Sequence, residues 1–274
     1  MLAADDLFMI FHGLKVHVKV VEPEAEIRHR VLLVSSPITS TFNWRKITPE
    51  LSQLGCLTVL LDLPGFGESA CGEGVPQDAR LRANVAWGVI DEIDYALGDD
   101  MSTWHLVGHG AACPAILEMG NAHPDSVRSQ VLIAPTLADG DLFRVGRMPR
   151  EKWYEQYIES PSGFRRFMDA LFARRTDEYI LDNMRRPFLR EGAKASFLNM
   201  LGARTPSRPA KGFAPVMALW GEKDILMDER ARTALKSLAP EAETHLFKTA
   251  GHIPMETHSH ALRDYLRGWL RYVG

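Results

Sequence analysis

Two short segments, Gly221-Glu222-Lys223-Asp224 and Gly251-His252-Ile253-Pro254, each follow a run of apolar residues and each hold a residue type that moves protons. Histidine, with an unperturbed pKa of about 6.5, is the natural proton shuttle at neutral pH, and a carboxylate on its Nδ1–H fixes tautomer and orientation. A third segment, His105-Leu106-Val107-Gly108-His109-Gly110-Ala111-Ala112-Cys113, runs from apolar residues into a glycine-rich turn. A fourth, Ser35-Ser36-Pro37, offers two hydroxyls and then a residue without an N–H. The three cysteines, Cys56, Cys71 and Cys113, are widely spaced and include no CxxC pair, which argues against a disulfide framework or a zinc site and for reduced thiols. Cys113 reads as a packing residue. His258 and His260 stand two residues apart, face different directions on a helix and read as surface residues, not as an i, i+4 metal pair.

Residues so far apart in sequence meet only if a larger architecture gathers them. Short β-branched or leucine-rich runs occur at Val31-Leu32-Leu33-Val34, Leu57-Thr58-Val59-Leu60-Leu61, Trp104-His105-Leu106-Val107, Val131-Leu132-Ile133-Ala134, Val216-Met217-Ala218-Leu219-Trp220 and Thr244-His245-Leu246-Phe247. They alternate with helical patterns, which predicts an α/β chain with a mostly parallel sheet covered on both faces. Leu81, Val85, Val89 and Ile93 mark one face of a helix over Asp78 to Leu97; Leu262, Tyr265, Leu266 and Leu270 mark a closing amphipathic helix. Lys15 to Val21 alternates like an antiparallel edge strand.

One interval, Thr136 to Lys211, breaks this rhythm and is too long for a structureless loop. Its clusters Trp153-Tyr154-Tyr157 and Phe164-Phe167-Met168-Leu171-Phe172 predict helices, so residues 136–211 are read as a helical cap inserted into a core of residues 1–135 and 212–274. The interval holds 15 Lys and Arg against 10 Asp and Glu, a balance of +5 that leaves −8 for the rest. A basic lid would favour an anionic substrate, whereas pairs such as Arg174-Arg175 and Arg185-Arg186 sit among acids as on solvated helix faces. Trp153, Tyr154 and Phe167 fit either an apolar ligand or the packing of the helices themselves.

Four motifs in order resemble the α/β-hydrolase family and together span most of the chain. Asp62-Leu63-Pro64-Gly65-Phe66-Gly67-Glu68-Ser69 is similar to the family's DxPGxGxS loop, and the His105–Cys113 segment to its strand-turn-helix nucleophile elbow, usually GxSxG or GHSxGG. The segments ending in Asp224 and around His252 complete the set. The resemblance implies a three-layer α/β-hydrolase fold, with Asp224 as the acid, His252 as the general base and Asp62 as the anchor of its own loop. His109 takes a packing or supporting place, and Ala111 N–H stands as an oxyanion donor.

This chain departs from the pattern at two points. Gly110 stands where the family carries its nucleophilic serine, and a residue without a side chain forms no acyl-enzyme. The elbow forces its central residue to φ > 0, a strain of about 1–3 kcal/mol that glycine relieves. In the family a strand near the N-terminus ends in His-Gly, and the next N–H is the second oxyanion donor. Alignment on that strand and on Trp44 puts Ser35-Ser36 over the His-Gly pair and Pro37 at the donor position. Loss of one such donor typically costs about 100- to 1000-fold in turnover. A register one residue later would restore a donor at Ile38. Ser35 and Ser36 are candidates for contact with a ligand, and one of them is a candidate displaced nucleophile.

The remaining composition is that of an ordinary globular protein: 274 residues, net charge −3 and 46 % hydrophobic residues give no footprint for nucleic acid or anionic membrane. No apolar run reaches the roughly 18 residues of a spanning helix, and Met1-Leu2-Ala3-Ala4-Asp5-Asp6 begins acidic, so a cytoplasmic location is expected. No cofactor or metal is expected, and the expected partner is a small-molecule substrate. Three readings follow. The first is an enzyme on a small organic molecule, with a His252/Asp224 dyad acting on substrate or water: C–C cleavage, elimination, isomerisation, cyclisation or direct hydrolysis. The second is an inactive hydrolase-like protein that binds a ligand or partner and keeps the pair for packing. The third is a serine hydrolase whose elbow serine has been replaced by the present Gly110.

Overall fold

The structure is a computed structural model and describes residues 5–98, 103–137, 148–202, 214–226 and 229–274. Eight strands form one sheet: β1 (Asp5–Phe11), β2 (Leu14–Val21), β3 (His29–Val34), β4 (Cys56–Asp62), β5 (Trp104–His109), β6 (Val127–Ile133), β7 (Val216–Gly221) and β8 (Glu243–Phe247). Their order is β1-β2-β4-β3-β5-β6-β7-β8; β2 runs antiparallel to both neighbours, and β4 through β8 are parallel. The apolar runs are buried on both faces, as a covered parallel sheet requires: Leu32, Leu61, Leu106, Leu132 and Leu219 are all fully inaccessible.

The covering helices are α1 (Thr48–Gln53), α2 (Ala79–Leu97), α3 (Cys113–Ala122), α8 (Glu229–Leu238), α9 (Pro254–Thr257) and α10 (Ser259–Val273), with the intervening helices between β6 and β7. Helix α2 begins where Asp78 accepts the N–H groups of Arg80 and Leu81 and ends at Gly98, φ +67°. Val85, Val89 and Ile93 are buried on it as expected, while Leu81 is only half-buried.

The N-terminal edge differs from expectation. Lys15–Val21 is the second strand, because β1 lies outside it through the two-residue turn His12-Gly13, both at positive φ, the geometry that matches hairpin twist. The Leu7–Phe11 run shows no alternation in sequence because its outward positions are also apolar: Phe8 is 47 % and Ile10 67 % exposed.

Between β6 and β7 lie α4 (Arg150–Tyr154), a π-helical turn (Glu155–Glu159), α5 (Pro161–Phe172), α6 (Glu178–Arg185), a 3-10 turn (Arg186–Leu189) and α7 (Ala193–Gly202). The expected limit at Lys211 lies outside the described residues. The aromatic side chains pack on one another: Trp153 stacks on Phe197 at 6.0 Å and meets Phe167 edge-on at 5.2 Å. Tyr154 and Phe164 are buried, so these rings form the core of the helical segment. Four of its described cations meet acids: Arg165 with Glu178, Lys194 with Glu155 and Glu159, and Arg186 and Arg190 with Glu68.

Candidate active site

Parallel pairing of β3 with β5 sets Val34 opposite Gly108, so the turns that follow the two strands meet two residues later, at Ser36 and Gly110. Gly108 has no room for a side chain, since a Cβ there would lie 2.5 Å from Ile116 Cγ1 on α3. Gly110 takes φ +54° and opens a 3-10 turn that leads into α3. Its carbonyl accepts the Thr136 N–H at 3.1 Å, and Ala111 N–H stands among the helix-start donors that lack an intrahelical partner. A Cβ on Gly110 would lie 3.1 Å from Ser36 Cβ, 3.4 Å from Ser36 Oγ and 3.2 Å from His252 Nε2.

The loops after β7 and β8 are joined backbone to backbone. Glu222 N–H donates to Phe247 O, and Lys223 N–H to Ala250 O. A Cβ on Gly221 would strike the carbonyls of Ala250 and Gly251, so only glycine allows this approach. The result sets His252 Nδ1 2.8 Å from Asp224 Oδ2, both residues buried, while Asp224 Oδ1 accepts the Leu226 N–H at 2.8 Å. Burial opposes the ionisation of Asp224, but the His252 charge, their hydrogen bond and the Leu226 N–H outweigh it and hold the carboxyl below its ordinary range. An ionised carboxylate only accepts, so His252 holds a proton on Nδ1, and in its neutral form it turns a bare Nε2 toward Gly110.

His252 is held on two more sides. Its N–H donates to Leu171 O at the end of α5 (2.7 Å), and its carbonyl accepts from His109 Nε2 (2.9 Å) with the two rings 4.9 Å apart. Four residues on, the buried Glu256 carboxylate is clamped by Arg45, Lys46 and Asn43 from the segment after β3. Leu171, Glu256 and Thr39 were not singled out from the sequence, because nothing in a leucine carbonyl, a glutamate or a threonine marks such contacts locally.

Burial first, and then the charge of His252, push His109 down to about 3; burial also pushes His105 to about 3. Both folded values lie below the unfolded 6.5, so their stabilisation is complete above pH 6.5 and lost as pH falls toward 3. Each imidazole adds a limiting slope of about 1.4 kcal/mol per pH unit. His17 runs the other way: burial lowers it, but hydrogen bonds to Asp62 (2.8 Å) and Asp6 (3.0 Å) raise it overall, so its contribution is present below pH 6.5 and lost as pH rises. Urea unfolding is expected to give less stability at pH 5 than at pH 7, because the two imidazoles that lose stabilisation on acidification outweigh the one that gains it. Equal stability at the two pH values would contradict this assignment of neutral, buried imidazoles.

The other residues singled out from the sequence fall as follows. Successive side chains along an extended segment alternate in direction. Ser35 Oγ accepts Trp44 Nε1–H at 3.2 Å, and it is Ser36 whose side chain lies nearest the place a Gly110 Cβ would take. Pro37 lies in a turn closed by Thr39 N–H to Ser36 O (3.0 Å), where proline's fixed φ suits the second position. Asp62 accepts from Thr41 N–H, Glu68 N–H and His17, and its carboxylate fills the place a Cβ on Gly67 would need. Cys113 is buried, its thiol pushed up by burial and donating to Gly108 O. His258 contacts Thr249 and Thr257, and among the described residues no group of three or more metal-ligating side chains occurs. Among the described residues no helix is long and apolar enough to cross a membrane.

The chain is 26 % identical over 243 residues to a 2-hydroxy-6-oxononadienedioate/2-hydroxy-6-oxononatrienedioate hydrolase of Cupriavidus pinatubonensis, covering 81 % of this chain and 79 % of that protein. It is also 26 % identical to the enzyme of the same name from Escherichia coli K12, over 82 % of this chain and 80 % of that one. Among solved structures it superposes with a TM-score of 0.77 on a probable hydrolytic enzyme from Pseudomonas aeruginosa (17 % identity, 96 % of this chain, 93 % of that one). An epoxide hydrolase superposes with a TM-score of 0.76 (16 % identity, 98 % and 99 %). Residues 31–265 match the sequence profile of the alpha/beta hydrolase family, and the chain belongs to that family.

Proposed function

We propose that this protein is a cofactor-independent hydrolase of a carbon–carbon bond in a small oxo-carboxylate. His252, oriented by Asp224, acts as general base on water, and no acyl-serine forms. The observation that carries the reading is the bare Nε2 of His252 turned toward a glycine, 3.2 Å from where that residue's Cβ would stand. The substrate named for the curated relatives contains two carboxylates, an enol and a ketone but no ester or amide, so a hydrolase acting on it breaks a C–C bond beside the ketone. In this chain, water would bond to the ketone carbon while His252 Nε2 takes its proton. For the C–C bond to break, the enol first becomes its ketone, its O–H proton moving to the carbon beside the 6-oxo group; the bond's electron pair then passes through the enone to the other carbonyl oxygen, the water oxygen stays on the carboxylic acid formed, and the proton returns from His252 to that enolate oxygen. Ala111 N–H faces the developing oxyanion, and Pro37 adds no second donor.

Gly110 fits this chemistry better than it fits a replaced serine. Any Cβ at 110 meets Ser36 and His252 at distances that require one of them to give way by a few tenths of an ångström. A fluorophosphonate probe is expected to leave the protein unlabelled. Stoichiometric labelling in the cleft would overturn the absence of a nucleophile, and a large gain of ester hydrolysis in Gly110→Ser would favour a serine hydrolase whose elbow serine has been replaced. The missing N–H at Pro37 equally suits a protein that binds without turnover. Ligand-induced thermal stabilisation with the ligand recovered unchanged would favour that second reading.

A further inference from the structure

We infer that the protein binds a small organic carboxylate, an anionic head on a flat apolar body, at a second site outside the candidate active site. The place is a concavity of about 750 Å³ between the β1–β2 hairpin, the segment that follows β3 and the end of α6. Neither Gly110, Asp224 nor His252 lines it, so the inference is independent of the general-base chemistry. Its floor follows from strand alternation. Phe8 on β1 and Lys19 and Val21 on β2 project to one face of the sheet with Leu60 on β4, the direct partner of Lys19. Phe8 leaves 47 % of its surface uncovered on this floor, and Phe42 stands in the wall. The site thus offers an apolar bed with aromatic rings.

The cations around it divide into committed and available. Asp6 takes Lys19 at 2.8 Å and His17 Nε2 at 3.0 Å, Asp62 takes His17 Nδ1, and the buried Glu256 takes Arg45. Arg186 and Arg190 have one carboxylate between them, Glu68, at 3.7 and 3.9 Å, longer than a hydrogen bond. One N–H of Arg190 goes to Gly67 O, and the other guanidinium donors of the two side chains meet no acceptor among the described residues. Two positive groups against one acid leave an excess charge, and the guanidinium fork matches the two oxygens of a carboxylate. Thr41 adds a neutral donor: it is 4 % exposed, lines the cavity, gives its N–H to Asp62 and has no partner for its hydroxyl among the described residues. Buried hydroxyls are normally paired, which marks this one as free for a ligand. The ligand needs a body as well as a charge. The Arg186 side chain is 70 % exposed, and ion pairs at such exposure are weak, so a bare inorganic anion gains little and burial of an apolar body on Phe8, Val21 and Leu60 supplies the rest.

Benzoate is the probe, with benzyl alcohol as its uncharged counterpart and inorganic phosphate as the bare anion. In nitrogen-15 amide spectra of the full-length protein, benzoate is expected to shift Phe8, Thr41 and Arg190 with a Kd of about 1 mM, at least about fivefold tighter than either control. Arg186→Gln, at an exposed side chain whose described ion pair is with Glu68 alone, is expected to raise that Kd about three- to tenfold, and Phe8→Ser to raise it about as much. His252→Ala is expected to leave it unchanged. Shifts centred on Gly110 and His252 instead, a Kd unaltered in both Arg186→Gln and Phe8→Ser, or no shift at about 10 mM benzoate would overturn the site. Equal affinity for either control would overturn the ligand class.

Discussion

Asp224→Asn is expected to lower turnover by about 10³- to 10⁴-fold while the fold stays intact. The size follows from which oxygen does what. Asp224 Oδ1 accepts the Leu226 N–H, so an asparagine keeps its carbonyl there and turns its NH2 group to His252 Nδ1. An NH2 donates, so Nδ1 must accept and the imidazole proton moves to Nε2, the end that should take a proton from water. The substitution also removes the charge that stabilises the imidazolium. A thermal unfolding curve close to that of the unmodified protein would show that the loss is catalytic, and turnover within tenfold of it would contradict the assignment of Asp224.

Gly251→Ala is expected to damage both stability and activity. A Cβ at 251 would strike Leu171 O and lie 2.9 Å from Phe172 C and 3.0 Å from Ala173 N, all backbone atoms with no rotamer to yield. Overpacking of this kind costs about 1–3 kcal/mol, and the adjacent bond from His252 N–H to Leu171 O adds about 1 kcal/mol if it breaks. The expected Tm shift is a fall of roughly 5–12 °C. His252 is the next residue, and a displacement of about 1 Å in a catalytic group can cost about 100-fold in rate. An alanine variant with unaltered Tm and turnover would show that α5 does not position the histidine.

The same contact explains what was legible in the sequence. The parallel strands declared themselves through runs such as Leu57–Leu61, which are buried on both faces and so cannot alternate. β1 did not, because Phe8 and Ile10 point outward against the usual pattern. His252, Asp224 and Gly110 were legible because each lies in a glycine-framed turn whose composition the close packing demands; Gly221 and Gly251 leave no space for a Cβ. Ser35 and Ser36 were indistinguishable as letters, and only pairing with the Gly108–Gly110 turn and with Trp44 separates them. Thr39, Leu171 and Glu256 act through long-range contacts, with His109, His252 and Arg45 respectively, and sequence spacing carries no trace of those.

On the proposed function, proton transfer by His252 drives hydrolysis without a covalent serine intermediate. The direct measurement is kcat/KM for 2-hydroxy-6-oxononadienedioate with the unmodified protein and with His252→Ala, followed by loss of the conjugated enol's absorbance. The expected result is turnover by the unmodified protein and a fall of at least about 10³-fold in the variant. A variant that turns over the substrate as fast as the unmodified protein would contradict the account.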